Sequence, residues 1–240
     1  MLFLIGLGLD LKDISVKALE IVKKCAIVYV DTYTSSFPYS LKKLEKILNK
    51  KITIVSRELL EDKASSIILE AKKNNVAILV YGDPLAATTH ITLLQEAKKY
   101  KVAVKVLHNS SIFNAIAETG LQLYKFGKTA SIPKWCKSYE PVSFYNIIKD
   151  NLSINAHTLV LVDPGLSVLD ALEQLRKASN DNIDNIILCS RIGTDKQKII
   201  YTKFKKILKS PPKLEEPFCF IVPAPLHFTE AEFLENLFST

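Results

Sequence analysis

The sequence contains no Cys-x-x-Cys pair, no Gly-x-x-x-x-Gly-Lys phosphate loop, no His-Glu-x-x-His and no Ser-His-Asp order. Paired carboxylates at a useful spacing are also missing, which counts against hydrolase and metalloenzyme chemistry. The 4 cysteines, Cys25, Cys136, Cys189 and Cys219, are widely scattered, and no histidine lies at ligand spacing from them. That pattern points to a reduced, cytoplasmic chain without a structural zinc. No apolar run approaches the ~20 residues needed to span a bilayer. The start, Met1-Leu2-Phe3-Leu4-Ile5, lacks a basic leader and runs straight into Gly6-Leu7-Gly8-Leu9-Asp10, so it reads as a buried strand rather than a signal peptide. No period of about 20 to 50 residues recurs, which excludes a solenoid.

What is present is an ordinary globular composition, 48% hydrophobic and 24% charged over 240 residues. Lysine and arginine exceed the acids by 32 to 25, a net charge of +7. The excess suits an acidic partner, but it is spread as lysine pairs along many helices, as solvated helix faces are. No aromatic-basic recognition motif accompanies it, so a nucleic-acid-binding role has little support.

Short β-branched runs alternate with lysine-rich amphipathic segments. Strands are expected at 2–7, 26–30, 52–55, 76–80, 102–107, 158–162, 186–190, 199–204 and 218–222. Helices are expected at 16–24, 41–48, 63–74, 89–100, 111–118 and 168–178. The alternation predicts α/β layers with helices covering a largely parallel sheet. The least regular stretch is 127–142, broken by Pro133 and Pro141. Two α/β domains are expected, 1–113 and 114–240.

Three strand-end loops converge on one rim of one sheet, where ligands bind in open α/β folds. The first, Gly6-Leu7-Gly8-Leu9-Asp10, has Leu11 where a dinucleotide loop needs its third glycine. Its two glycines allow a ligand to approach the backbone closely, or serve only a tight turn. The second, Tyr81 to His90, offers the carboxylate of Asp83 between Gly82 and Pro84, suited either to an Asx-turn or to a cationic ligand. Thr88 or Thr89 is expected to cap the next helix. The third is Leu107-His108-Asn109-Ser110-Ser111-Ile112, whose serines suit helix caps, while their backbone amides could also face a ligand. His157 and His227 are read as structural.

These segments resemble a known family. Leu4-Ile5-Gly6-Leu7-Gly8-Leu9 is similar to the opening strand and turn of the diphthine synthases, a branch of the tetrapyrrole methylase-like S-adenosylmethionine-dependent methyltransferases. Gly82-Asp83-Pro84-Leu85-Ala86-Ala87-Thr88-Thr89-His90 is close to their GDPLxATTH signature. Thr119 to Thr129 is close to TGLQLYxFGKT, and Ile221-Val222-Pro223 with Leu226-His227 is similar to the family ending. Departures occur at Asn109-Ser110, where the family has Ala-Pro, and at Ala224, where it has glycine.

The resemblance implies two α/β domains with a cofactor cleft between them, the class III methyltransferase fold. It implies S-adenosyl-L-methionine as cofactor, contacted by Leu9, Asp83, Ala86, Ser111 and Ile112, with Val162, Ile192 and Phe218 completing the pocket. It implies a homodimer whose protein substrate is elongation factor 2, methylated on the amino group of a 3-amino-3-carboxypropyl-histidine to give diphthine. Neither nucleic acid nor membrane is an expected partner, and no metal is expected. No general base can be named from the sequence. The alternatives are a related methyltransferase acting on a tetrapyrrole or RNA, and a non-enzymatic binding module.

Overall fold

The computed structural model describes residues 1–238 and divides into two compact units, Met1–Phe113 and Asn114–Thr240. The first unit runs β1 (Leu2–Gly6), α1 (Val16–Lys24), β2 (Ile27–Asp31), α2 (Leu41–Leu48), β3 (Thr53–Val55), α3 (Arg57–Glu61), α4 (Ala64–Lys73), β4 (Val76–Val80), α5 (Ile91–Lys99) and β5 (Val104–Leu107). The short α6 (Ile112–Ala115) follows. Its strands pair in parallel in the order β3-β2-β4-β1-β5.

β1 and β4 are buried along their whole length, as strands covered on both faces must be. Because successive side chains alternate, Leu2, Leu4, Val76, Ile78 and Val80 pack against Ile67 and Ile68 of α4 and Leu93 and Ala97 of α5. Phe3, Ile5, Ala77 and Leu79 pack on the other face with Ala18, Val22, Leu44 and Leu48 of α1 and α2. Full burial of one such large side chain contributes about 1.5–3 kcal/mol. Ser15 starts α1 by accepting a hydrogen bond from the Ala18 amide, and Lys23 and Lys24 complement the negative end of the helix. The chain leaves β1 toward β2 in one direction and leaves β4 toward β5 in the other. The loop after β1 leads to α1 on one face and the loop after β4 to α5 on the other, the change of face at which open α/β sheets bind ligands.

The second unit holds β6 (Ala130–Ile132), α7 (Ser143–Ser153), β7 (Thr158–Val162), α8 (Val168–Ser179), β8 (Asn185–Ser190), β9 (Lys198–Lys203), α9 (Phe204–Lys209), β10 (Phe218–Val222) and α10 (Phe228–Phe238). The sheet order is β6-β7-β10-β8-β9, and only β6 and β7 pair in parallel. A largely parallel sheet does not extend here. β9 follows β8 after the short turn 191–197, and so brief a connection joins antiparallel neighbours. Phe144, Ile148, Leu172, Leu175, Ile186, Leu188, Phe204 and Phe220 form the core of this unit.

β6 and α7 have no counterpart among the expected elements, and β9 stops at Lys203 because Phe204 turns inward as the buried first residue of α9. Among the described residues no helix is long and apolar enough to cross a membrane.

Candidate functional site

At the carboxyl edge of the first sheet the loops after β1, β4 and β5 are joined by hydrogen bonds. Gly8 and Gly82 form a two-bond backbone bridge, Gly8 N to Gly82 O at 3.2 Å and Gly82 N to Gly8 O at 2.9 Å. Both residues have left-handed backbones, φ +75 and +73, which glycine adopts without cost. A Cβ on Gly6 would meet the Gly82 carbonyl oxygen at 2.6 Å, so the first two loops close only because Gly6 has no side chain. Asn109 joins the third loop to the first, its side-chain Nδ2 donating to Gly6 O at 3.1 Å and to Asp13 O at 3.0 Å. Asp13 in turn holds the first loop, accepting from the amides of Leu9 and Asp10 through Oδ2.

Asp83 joins the second loop to the third. Its Oδ1 accepts from the Leu85 amide at 2.9 Å, the Asx-turn that the sequence allowed. Its Oδ2 accepts from the Asn109 amide at 3.1 Å and lies 2.8 Å from His108 Nδ1. A carboxylate can only accept, so His108 Nδ1 is the donor of this contact. The His108 side chain is 67% exposed, against 13% for Asp83. A carboxylate offers about four acceptor positions, so Asp83 keeps one beyond these three contacts for a cationic ligand.

The second loop is also held from beneath. Pro84 O accepts from the Thr88 hydroxyl at 2.8 Å and lies 3.0 Å from His90 Nδ1. Thr88 therefore does not cap α5, and His90, the residue at the helix start, makes no side-chain capping bond either. His90 Nε2 lies 3.2 Å from Asp31 Oδ2, and both side chains are fully buried. That contact is not aligned as a hydrogen bond. Burial pushes the Asp31 carboxyl up, but His90, the Thr34 hydroxyl and the Tyr33 amide outweigh it and hold the group below the usual carboxylate range. The buried pair thus pins the loops after β2 and β4 to each other. The sequence reading assigned no role to either residue, since 59 positions separate them and only the final His90 of the GDPLAATTH run hinted at one.

The structure places the expected site residues as two sets. Leu9, Asp83, Ala86, Ser111 and Ile112 all stand on the three joined loops of the first unit. Ala86 donates its amide to Asp83 O at 3.2 Å, and Leu9 O accepts from the Tyr81 hydroxyl at 3.0 Å. In the second unit Val162 ends β7, Phe218 starts β10 opposite Ser190, and Ile192 follows β8, so these three share one edge of that sheet.

A separate buried cluster lies elsewhere in the second unit. Glu230 accepts from Lys125 Nζ at 2.8 Å, from the amides of Gln122 and His227 at 3.0 and 2.8 Å, and lies 3.1 Å from His157 Nε2. Burial raises its carboxyl, but Lys125, the two amides and His157 outweigh that and bring it down to about 2. His157 Nδ1 accepts from the Ala224 amide at 2.9 Å, and burial pushes its imidazole below the ordinary 6.5. His157 thus binds the Thr119 to Thr129 segment to the last helix, while the His227 side chain turns to the Thr229 hydroxyl and only its backbone amide joins the cluster.

Comparison with known proteins agrees with this layout. The family description for Tetrapyrrole (Corrin/Porphyrin) Methylases matches residues 1–208. The chain is 39% identical over 254 residues to the diphthine synthase of Methanococcus vannielii, covering 99% of each. It is 47% identical over 164 residues to the diphthine methyl ester synthase of Schizosaccharomyces pombe, a match to 68% of this chain and 58% of that protein. A crystal structure of diphthine synthase superposes with a TM-score of 0.91 at 32% identity, covering 100% of this chain and 97% of that one.

Proposed function

The chain belongs to the tetrapyrrole (corrin/porphyrin) methylase family, and on that premise we propose that it methylates elongation factor 2 to form diphthine, with S-adenosylmethionine as donor. It is a methyltransferase of the diphthamide pathway by its full-length likeness to diphthine synthases. The acceptor in this reading is the amino group of a 3-amino-3-carboxypropyl-histidine.

The observation that carries the donor assignment is the hydrogen-bonded set of three loops at the carboxyl edge of the first sheet. The residues present suit a sulfonium donor. Gly82 leaves bare backbone, and a Cβ there would fill the space 3.7 to 3.8 Å from Ser110 and Ser111. Beside it stands the Asp83 carboxylate with an acceptor position to spare. We assign Leu9, Asp83, Ala86, Ser111 and Ile112 to the donor on the first unit, and Val162, Ile192 and Phe218 to its adenosine part on the second.

S-adenosylmethionine supplies an already activated methyl group, so the chain's task is to hold and align rather than to activate. Alignment of this kind is worth roughly 7–11 kcal/mol in favourable cases. No triad is needed for that work, in keeping with the absence of one from the sequence. The proposal includes a homodimer in the cytoplasm. The four cysteines are free, three of them buried, as a reducing compartment allows.

Incubation with labelled donor and elongation factor 2 carrying the aminocarboxypropyl group tests the function. Mass spectrometry is expected to show added methyl groups on that histidine, and an unmodified factor beside a methylated tetrapyrrole would overturn the assignment. Light scattering tests the dimer.

A further inference from the structure

Amine methylation has a requirement that the donor cannot meet. An ammonium has no lone pair, so the nucleophile must lose a proton before each attack. We infer that His108, oriented by Asp83, is the base that takes that proton. This inference rests on the function proposed above and names a further residue of the same site.

Four features of the rim support it. Asp83 Oδ2 lies 2.8 Å from His108 Nδ1 and also accepts the Asn109 amide, which fixes Asp83 as acceptor and puts the ring proton on Nδ1. The lone pair is then on Nε2, and that atom has no hydrogen-bond partner among the described residues. The side chain is 67% exposed, so the acceptor can reach it and the proton can leave to water afterwards. His108 also sits directly before Asn109, whose side-chain Nδ2 ties its loop to the first, so the ring is carried on a fixed backbone.

The other histidines do not have this arrangement. His90 and His157 are fully buried, His90 between Pro84 O and the Asp31 carboxylate and His157 with both ring nitrogens hydrogen-bonded, and His227 Nδ1 is turned to the Thr229 hydroxyl. In the proposed step one N–H bond of the acceptor ammonium breaks and its proton moves to His108 Nε2. The freed nitrogen pair forms the new bond to the methyl carbon as the carbon–sulfur bond breaks, and the sulfur keeps that electron pair. The imidazolium, stabilised by the Asp83 carboxylate, then releases its proton to solvent, one for each methyl group transferred.

Two measurements test this. Ring ¹⁵N spectroscopy of the whole chain without donor is expected to show His108 protonated on Nδ1 alone, and Asp83→Asn is expected to shift the proton to Nε2. Finding the free enzyme with the proton on Nε2 would overturn the inference. His108→Ala and His108→Gln are expected to bind S-adenosylhomocysteine as the parent does, because Asp83 keeps its Leu85 and Asn109 amides. Their turnover of the amine acceptor should fall roughly 100- to 10,000-fold, and added imidazole should restore part of it in His108→Ala. Full turnover in both variants would remove the proton role and leave the donor site standing. A parent enzyme that methylates no amine acceptor would remove both.

Discussion

Gly6 has room for a hydrogen and no more. Its would-be Cβ lies 2.6 Å from the Gly82 carbonyl and 3.1 Å from Asn109 Cβ, both on neighbouring loops. Gly6→Ala must push the loops apart, and overpacking of this kind costs about 1–3 kcal/mol. Chemical denaturation of the variant should show that loss together with weaker S-adenosylhomocysteine binding; unchanged binding would mean that the loops close independently of one another. Asp83 is the second residue on which the rim depends. Replacing it by alanine removes a charge and frees three donors, and hydrogen bonds to charged groups are worth about 1.5–3 kcal/mol each. Asp83→Ala should therefore weaken donor affinity by roughly 10- to 100-fold, read by calorimetry, while the fold persists. The Asp83 carboxylate was legible in the sequence because Gly and Pro flank it in a strand-end loop. Its bond to His108 was not, since local spacing says nothing about which of three loops a side chain turns to.

At the scale of elements, the strands of the first unit are the most legible part of the molecule. β1 and β4 are apolar throughout, and that signal does not depend on their neighbours. α1 and α2 keep the bounds read from their periodicity, 16–24 and 41–48. β6 escaped notice because Ala130-Ser131-Ile132 is too short to alternate, and it exists only by pairing with β7. A polar pairing also shapes that region: the Asn151 side chain of α7 binds both backbone groups of Lys128, and a Cβ on Gly127 would strike it at 2.2 Å. Neither the helix nor its asparagine announces this in sequence. The Asp31–His90 pair is the corresponding case in the first unit, joining the end of β2 to the start of α5. Removing Asp31 leaves the buried His90 Nε2 without its carboxylate and the Tyr33 amide and Thr34 hydroxyl without their acceptor, and a buried donor left unsatisfied costs about 1–3 kcal/mol. Asp31→Ala should lose that much in urea titration and should raise the donor KM more than it lowers kcat. A loss under about 1 kcal/mol, the size of an exposed pair, would show that the contact does not hold the second loop.

For the whole molecule, charge governs encounter and pH governs survival. Many of the basic residues behind the net charge of +7 end helices, as Lys72 and Lys73, Lys98 and Lys99, and Arg176 and Lys177 do, where they also complement the helix dipole. A chain so charged attracts an acidic protein, and its association rate should fall as salt rises to physiological strength. Stopped-flow rates indifferent to salt would count against electrostatic capture. Acid acts through the Glu230 cluster. The Glu230 carboxyl is held down to about 2 from 4.5, so its stabilisation is complete above 4.5 and fades as pH falls from there toward 2. His157 works in the same direction from a higher starting point. Its imidazole is depressed below 6.5, so under that pH the unfolded chain binds a proton that the folded one resists. Stability should thus begin to decline below pH 6.5 and fall more steeply under 4.5. Glu230→Gln should be less stable than the parent at neutral pH, and the gap should narrow on acidification because the parent alone loses a carboxylate. Urea midpoints that keep a constant gap from neutral pH to about pH 3 would show that Glu230 does not carry the acid response.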